Sequence, residues 1–237
     1  MINRIGEKIM ELSKRLNWIL EYVDKCDAVM DVGTDHGYIP IHLVKNKMVN
    51  KAIASDINKD PLQKAKINAS LDGVIDKIDL RLGAGLSPLK KNEVQGVIIA
   101  GMGGNLIRDI LEKDINKVKK LDYLILQPAQ NPEVLREYLY NSNYEILNED
   151  LCFDEGQFYE LFKVKYKMGE NTKLDPIFYE ISPIMLKENN KLIKEYIKIK
   201  IEKYNKIVCF IKEETESAKL RKEELYNKIK VLEDFIR

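Results

Sequence analysis

The sequence predicts an α/β protein: a mostly parallel, seven-stranded, Rossmann-like sheet covered by helices on both faces, ending in an antiparallel hairpin and followed by a C-terminal helical coiled-coil hairpin. Three observations carry this. Five short apolar runs, at residues 28–33, 51–57, 78–82, 96–101 and 123–128, alternate with helix-length amphipathic segments, and runs of that length buried on both faces mark a doubly wound parallel sheet. The next two runs, 144–153 and 157–166, are separated only by Asp154-Glu155-Gly156, a spacing that suits an antiparallel hairpin. Further on, Ile193, Ile197, Ile201, Tyr204, Val208 and Ile211 step by fours and threes, as do Leu225, Ile229, Leu232 and Ile236; two helices facing each other across a turn at residues 215–219 hide both stripes. The chain is therefore divided into a sheet domain, 1–166, and a helical domain, 167–237, with loop-like text at 171–183 and a long helix beginning near Leu186.

Ahead of the first strand, Ile5, Ile9, Leu12, Leu16, Ile19, Leu20 and Val23 recur at helical spacing, which predicts one amphipathic helix over the first two dozen residues, with Trp18 packing against the core. In the fifth βα connection, Gln127-Pro128-Ala129-Gln130-Asn131-Pro132, Asn131 is placed as a helix N-cap with Pro132 at the first helical position.

Composition limits the function classes. With 237 residues, 45% hydrophobic and 32% charged, the chain can bury a core of ordinary size. A formal net charge of +1 removes the chain-wide basic excess that many phosphate binders carry, so any basic patch is local; the basic excess lies in residues 167–237. Cys26, Cys152 and Cys209 are far apart, with no CxxC pair and only two histidines, which supports neither a disulfide framework nor a zinc site. No metal is expected, and the compartment is reducing. No apolar run approaches the roughly 20 residues of a membrane span, and charges are scattered where a signal peptide has an apolar block. A cytoplasmic protein without a membrane partner, monomeric rather than dimeric, is expected.

The stretch Val29-Met30-Asp31-Val32-Gly33-Thr34-Asp35-His36-Gly37-Tyr38 leaves a buried strand, turns on glycine and enters a helix whose early Pro40 lacks only an N–H that has no partner there. Gly33 and Gly37 permit close approach and positive φ, and the helix N-terminus presents free N–H groups to an anion. A plain βα turn would use the same glycines. The second strand ends in Asp56, followed by Ile57 and twenty-five residues after Asp31, where a carboxylate can accept both hydroxyls of a ribose; alone, Asp56 could equally cap the helix that starts at residues 58–61. The dinucleotide fingerprint GxGxxG is absent. In its place stands Asp-x-Gly-x-x-x-Gly, with Asp31 positioned to receive an ammonium group. A ligand with an amino acid at one end and an adenosine at the other uses both carboxylates, and that ligand is S-adenosylmethionine. The third strand runs into Gly83-Ala84-Gly85 and the fourth into Ala100-Gly101-Met102-Gly103-Gly104, both at strand carboxyl ends where open α/β folds hold ligands. These loops are expected to close over the adenine and the reactive methyl; for residues 83–87 ordinary turn chemistry is the alternative.

The sequence resembles the bacterial tRNA adenine-22 N1-methyltransferases over nearly its whole length. The resemblance rests on Asp31-Val32-Gly33-Thr34-Asp35-His36-Gly37-Tyr38-Ile39-Pro40, Ala54-Ser55-Asp56-Ile57, Ala100-Gly101-Met102-Gly103-Gly104, Leu126-Gln127-Pro128 and Gly156-Gln157-Phe158-Tyr159-Glu160. It implies a class I methyltransferase fold, S-adenosylmethionine as methyl donor, and N1 of an adenine in the tRNA D arm as acceptor. Two positions depart from the family pattern. The acid common within Gly-x-Gly-Leu, the usual partner of the adenine amino group, is Ala84 here, which removes a hydrogen bond of about 0.5–1.5 kcal/mol. Where the family tends to read Gln-Pro-Asn, this chain has Gln127-Pro128-Ala129.

For that reaction the candidate groups are Asp35, a carboxylate that stabilises the cationic product, His36 beside it as the orienting group, and Tyr38 as an aromatic neighbour for the charge. Each has an alternative reading as part of the turn. His42 is read as packing. For RNA, Lys187, Lys191, Lys194 and Lys198 step by four, three and four residues, an arrangement that puts four ammonium groups on one helical stripe for phosphates. A solvated face paired with Glu188, Glu195 and Glu202 is the alternative. The donor site by itself leaves open a methyltransferase for a small molecule or protein, and Ala84 and Ala129 leave open a nucleotide-binding scaffold without activity.

Overall fold

The structure is a computed structural model that describes residues 12–169 and 171–237. One sheet holds seven strands, β1 (Cys26–Val32), β2 (Val49–Asp56), β3 (Ile78–Leu82), β4 (Gly96–Gly103), β5 (Tyr123–Gln130), β6 (Tyr144–Asp154) and β7 (Gln157–Tyr166), in the order β3-β2-β1-β4-β5-β7-β6. β1 to β5 are parallel to one another, and β7 runs antiparallel to both β5 and β6. All seven predicted runs are strands.

The helices are α1 (Lys14–Glu21), α2 (Tyr38–Lys45), α3 (Lys59–Leu71), α4 (Gly104–Lys113), the short α5 (Ile115–Val118), α6 (Pro132–Asn141), the short α7 (Ile177–Glu180) and α8 (Pro183–Lys187), α9 (Ile193–Phe210) and α10 (Glu216–Ile236). Side chains of a strand alternate between faces, so Met30, Val97, Ile99, Leu124 and Leu126 pack with α4 and α6. Val29, Ile98 and Ile125 pack on the opposite face with Ile19 of α1 and Ile39 and Leu43 of α2. Both faces are dry, which is why the central strands read as unbroken apolar runs. The strand order reverses between β1 and β4, and the cleft outside their carboxyl ends is the place where this topology holds ligands. The hairpin turn, with Glu155 and Gly156 both at positive φ, returns β7 alongside β5 and sets its tip on the rim of that cleft.

The N-terminal helix is shorter than the predicted two dozen residues: α1 starts at Lys14, because Ser13 takes a non-helical backbone and caps it, its Oγ accepting from the Leu16 N–H at 3.2 Å, and it ends at Glu21. Ile5 and Ile9 of the predicted stripe lie outside the described residues. Trp18 is buried, and its Nε1 donates to Asp150 at 2.8 Å.

The helical part differs from expectation in two places. α7 and α8 occupy text that reads as loop, α8 being opened by Ser182 as N-cap and Pro183 at the first position. The long helix starts at Ile193 rather than near Leu186, because Asn189 takes a left-handed φ of 50°. Asn190 then fixes the turn ahead of the new start: its Oδ1 accepts from the Leu192 N–H at 2.9 Å and its Nδ2 donates to Asp150 at 2.6 Å. The turn between the long helices lies at residues 211–215, ahead of the predicted 215–219, with Thr215 capping α10. Ile193, Ile197, Tyr204 and Val208 of α9 then bury against Leu225, Ile229 and Leu232 of α10.

Polar groups seat these helices on the sheet. Arg136 of α6 is fully buried; its Nε donates to Glu149 at 2.7 Å, its Nη1 to the Tyr179 carbonyl at 2.9 Å, and its Nη2 to Glu160. Ser182 and Tyr196 donate their hydroxyls to the same two carboxylates. Glu180, held at about 2 by the neighbouring cations against the opposing effect of burial, accepts from Tyr204 and Lys228 at 2.5 Å each. No helix among the described residues is long and apolar enough to cross a membrane.

Candidate active site

The chain turns at Gly33 (φ 77°) directly after β1. The N–H groups of Gly33 and Thr34 reach across to the Ser55 carbonyl at 2.8 and 3.0 Å, and the Gly83 N–H reaches the Asp56 carbonyl at 2.9 Å. Backbone hydrogen bonds therefore lace together the loops that follow β1, β2 and β3, and they hold Asp31 and Asp56 at the ends of adjacent strands.

A cavity of about 310 Å³ opens there, lined by Arg15, Asp31, Thr34, Tyr38, Ala100 and Gly101 among others. Asp31 is buried, and the Thr34 hydroxyl donates to its Oδ2 at 2.6 Å. Burial pushes its carboxyl up to about 6; the Thr34 hydrogen bond opposes that rise and the charge of Asp56 adds to it. A carboxylate stripped of water in this way gains from an incoming cation. Asp56 accepts the Asn58 N–H with one oxygen, Oδ1, at 2.8 Å. Ile57 and Leu82, at the ends of β2 and β3, are 65% and 51% exposed, and apolar side chains left bare beside an acid suit an adenine ring above a ribose. An aminoacyl-nucleoside such as S-adenosylmethionine fits this set of groups. Ala84, exposed in the third loop, offers no side-chain acceptor.

Asp35 and Tyr38 line the cavity edge, and His36 touches both without lining the cavity itself. Asp35 sits at φ 45° with its side chain 67% exposed, and His36 Nε2 stands 3.6 Å from its Oδ2. The rings of His36 and Tyr38 stack with centroids 5.1 Å apart. His42 is half-buried on α2, and burial lowers its pKa.

Several predicted site glycines have structural neighbours instead of an open face. Gly37 caps α2, but a Cβ there would meet Ala65 of α3 at 2.9 Å, so its missing side chain admits a helix and not a ligand. Gly83 makes room for Ser87 and Pro88, and Gly85 for Ile110, which is the turn reading of that loop. In the fourth loop Gly104 is packed against the Asn131 carbonyl, Gly103 has nothing within 4 Å, and the Met102 methyl lies over Gly33. Asn131 holds the N-cap position of α6 as predicted, yet it is left-handed and its side chain makes no capping bond.

The lysine stripe is broken. Lys194 and Lys198 lie exposed on α9, whereas Lys187 is the last residue of α8 and Lys191 belongs to the turn between the two helices. The left-handed Asn189 and the anchored Asn190 impose that break.

Arg15 at the cavity and Gln127 behind it form a pair that the sequence does not announce. Arg15, read only as part of a packing helix, donates from Nη1 to Gln127 Oε1 at 2.6 Å, and its guanidinium lies 5.2 Å from the centroid of the Tyr159 ring. Gln127 is fully buried, with Nε2 donating to the Pro128 carbonyl at 2.8 Å. No local pattern announces a pairing across 112 positions.

A family model described as tRNA (adenine(22)-N(1))-methyltransferase matches residues 29–234. The chain is 31% identical over 233 residues to the tRNA (adenine(22)-N(1))-methyltransferase of Bacillus subtilis, covering 96% of this chain and 98% of that protein. Among solved structures it is similar to Streptococcus pneumoniae Sp1610 in complex with S-adenosyl-L-methionine, with TM-score 0.85 and 29% identity over 96% of this chain and 100% of that one. It is likewise similar to M. capricolum TrmK in complex with S-adenosyl-homocysteine, with TM-score 0.82 and 29% identity over the same shares.

Proposed function

The chain belongs to the tRNA (adenine(22)-N(1))-methyltransferase family, and from that premise we propose how its residues divide the transfer of a methyl group from S-adenosylmethionine to N1 of adenine 22 in tRNA. The donor, when bound, supplies a methyl group on a positively charged sulfur. Asp31 takes its ammonium group, Asp56 its ribose hydroxyls, and Ile57 with Leu82 the faces of its adenine. The backbone of Gly33 and Thr34, of Gly83 to Gly85 and of Ala100 to Gly103 walls the site. The observation that carries this reading is Asp31: a buried carboxylate at the switch point of the sheet whose only side-chain partner among the described residues is the Thr34 hydroxyl.

Adenine N1 is a neutral nucleophile and the product is a cation, so the chain must position the base and then accommodate positive charge. Positioning of two reactants can supply roughly 7–11 kcal/mol. Asp35, exposed at the cavity edge, offers its carboxylate to the developing charge and to the N6 proton; His36 orients that carboxylate. Tyr38, held by its stack on His36, presents a ring face to the cationic base. Exposing the Watson–Crick edge of the base costs a few kcal/mol, which binding elsewhere on the tRNA offsets. Residues 167–237 serve that purpose, with Lys194 and Lys198 on α9 and Lys187 and Lys191 just ahead of it contacting phosphates in a salt-dependent way. Three free thiols and a tRNA substrate suit the cytoplasm.

The test is incubation with methyl-labelled donor and unmodified tRNA, followed by digestion to nucleosides. Label is expected in 1-methyladenosine and is lost when adenine 22 is replaced by guanine. Label that persists in the replaced tRNA, or that enters another nucleoside, overturns the reading.

A further inference from the structure

We propose that Arg15 is the anchor for the carboxylate of the donor's methionine, so that the cleft grips both ends of a zwitterion: Asp31 the ammonium, Arg15 the carboxylate. The inference rests on the donor site described above and adds a residue to it.

The cleft is acidic. Asp31 and Asp35 line it and Asp56 ends the neighbouring strand, so a carboxylate entering it needs a countercharge. Among the described lining residues Arg15 is the one cation. Its head is held by neutral groups only, the Gln127 amide on one side and the Tyr159 ring beneath, and no carboxylate among the described residues forms an ion pair with it. One of its five N–H donors is engaged by Gln127, which leaves a planar fork that matches a carboxylate with two parallel hydrogen bonds.

The surroundings keep that fork in place. Gln127 cannot swing away, because it is buried and its own N–H donates to the Pro128 carbonyl. The start of α1 is tied to the hairpin tip by the Arg15 backbone N–H on Asp154 at 2.8 Å and by Lys14 Nζ on the Phe153 carbonyl at 2.8 Å. Beside the guanidinium stands Gly101 at positive φ, where a Cβ would lie 3.8 Å from Nη1, so this side of the guanidinium is left uncovered by any side chain of that residue. Three separate elements, α1, the end of β5 and the hairpin, thus hold one uncompensated positive charge at the cavity wall. A guanidinium on solvent-facing lysine-like duty needs none of them.

The experiment is calorimetric titration of the wild type, Arg15→Met and Arg15→Lys with S-adenosylmethionine and with its decarboxylated analogue, which retains the ammonium and the sulfonium. Arg15→Met is expected to weaken S-adenosylmethionine by about 10- to 100-fold, the range of a hydrogen bond to a charged group, and to leave the decarboxylated compound within about twofold. The wild type should prefer the intact donor by the same factor, and Arg15→Lys, a point charge without the fork, should restore part of the loss. The analogue also serves as the control for folding, since a damaged cleft weakens both compounds alike. Equal loss for both compounds overturns the proposal, as does unchanged donor affinity with a raised KM for tRNA, the result for a phosphate contact. A wild type that binds neither compound removes the donor site itself, and this inference with it.

Discussion

Thr34 donates its hydroxyl to Asp31 at 2.6 Å from a loop whose own N–H groups hang on the Ser55 carbonyl, and this single bond opposes the desolvation that raises the Asp31 carboxyl to about 6. Only the ionised form can hold an ammonium group. Donor affinity is therefore expected to be full above pH 7 and about tenfold weaker at pH 5, since below the pKa each pH unit costs a factor of ten. Thr34→Val removes the opposing bond and should move this fall to higher pH. For the free protein the sign is reversed: the folded state binds this proton more tightly than the unfolded chain, so the Asp31 contribution to stability is lost as pH rises from about 4 to about 6. Asp31→Asn should consequently be more stable than wild type at pH 7 in urea denaturation while failing to bind donor. A donor affinity flat from pH 5 to 8 would show that Asp31 does not meet the ammonium.

Asp35 holds a left-handed φ of 45°, a conformation that asparagine tolerates at least as well as aspartate. Asp35→Asn should therefore keep the loop and the donor affinity while removing the negative charge offered to the cationic product. Transfer measured in a single turnover is expected to slow by roughly 10²-fold or more, the lower end of what a positioned acid or base contributes. A rate within about threefold of wild type would leave Asp35 as a turn residue and nothing else.

The glycines after β4 look equivalent in the sequence and are not equivalent in space. A Cβ on Gly104 would stand 2.2 Å from the carbonyl oxygen of Asn131, while one on Gly103 meets nothing within 4 Å. Backbone cannot move aside as a flexible side chain can, so Gly104→Ala should destabilise by about 2 kcal/mol or more, in the range of overpacked positions. Gly103→Ala should cost well under 1 kcal/mol and, if it changes anything, should change turnover. Thermal denaturation of the two variants side by side separates these roles.

The parts of this protein that were legible from sequence are those whose signal is local. The parallel strands announce themselves because burial on both faces leaves no polar alternation to interpret, and the hairpin because three residues allow no crossover. Asp31 and Asp56 were legible because strand ends with adjacent glycine turns can be located without knowing any tertiary contact. What stayed hidden depends on distant partners. Arg15 and Gln127 are brought together only by the sheet, and Gly104 matters because Asn131 passes over it. Leu186 and Ile193 stand seven residues apart, a helical interval that joins them in the sequence, and the break between them is set by Asn189, a backbone choice, and by Asn190 binding Asp150 of β6. That break is what dispersed the lysine stripe.

The fully buried Arg136 faces two carboxylates, Glu149 and Glu160, which also receive the hydroxyls of Ser182 and Tyr196. Replacing it by methionine keeps much of the volume but leaves two acids in apolar surroundings without a cation. The cost of breaking a buried ion pair from one side is about 3–5 kcal/mol, and a loss of that size is expected for Arg136→Met in urea denaturation. Lys228→Met, which removes a half-exposed cation while Lys200 and Tyr204 still serve Glu180, should cost less, about 1 kcal/mol. The two carboxylates are also what fixes α8 and α9 on the hairpin, so the same Arg136→Met variant, assayed where it remains folded, should raise KM for tRNA while donor affinity stays near wild type. Equal effects on both substrates would mean that the cluster supports the whole fold and not the seating of the helical part.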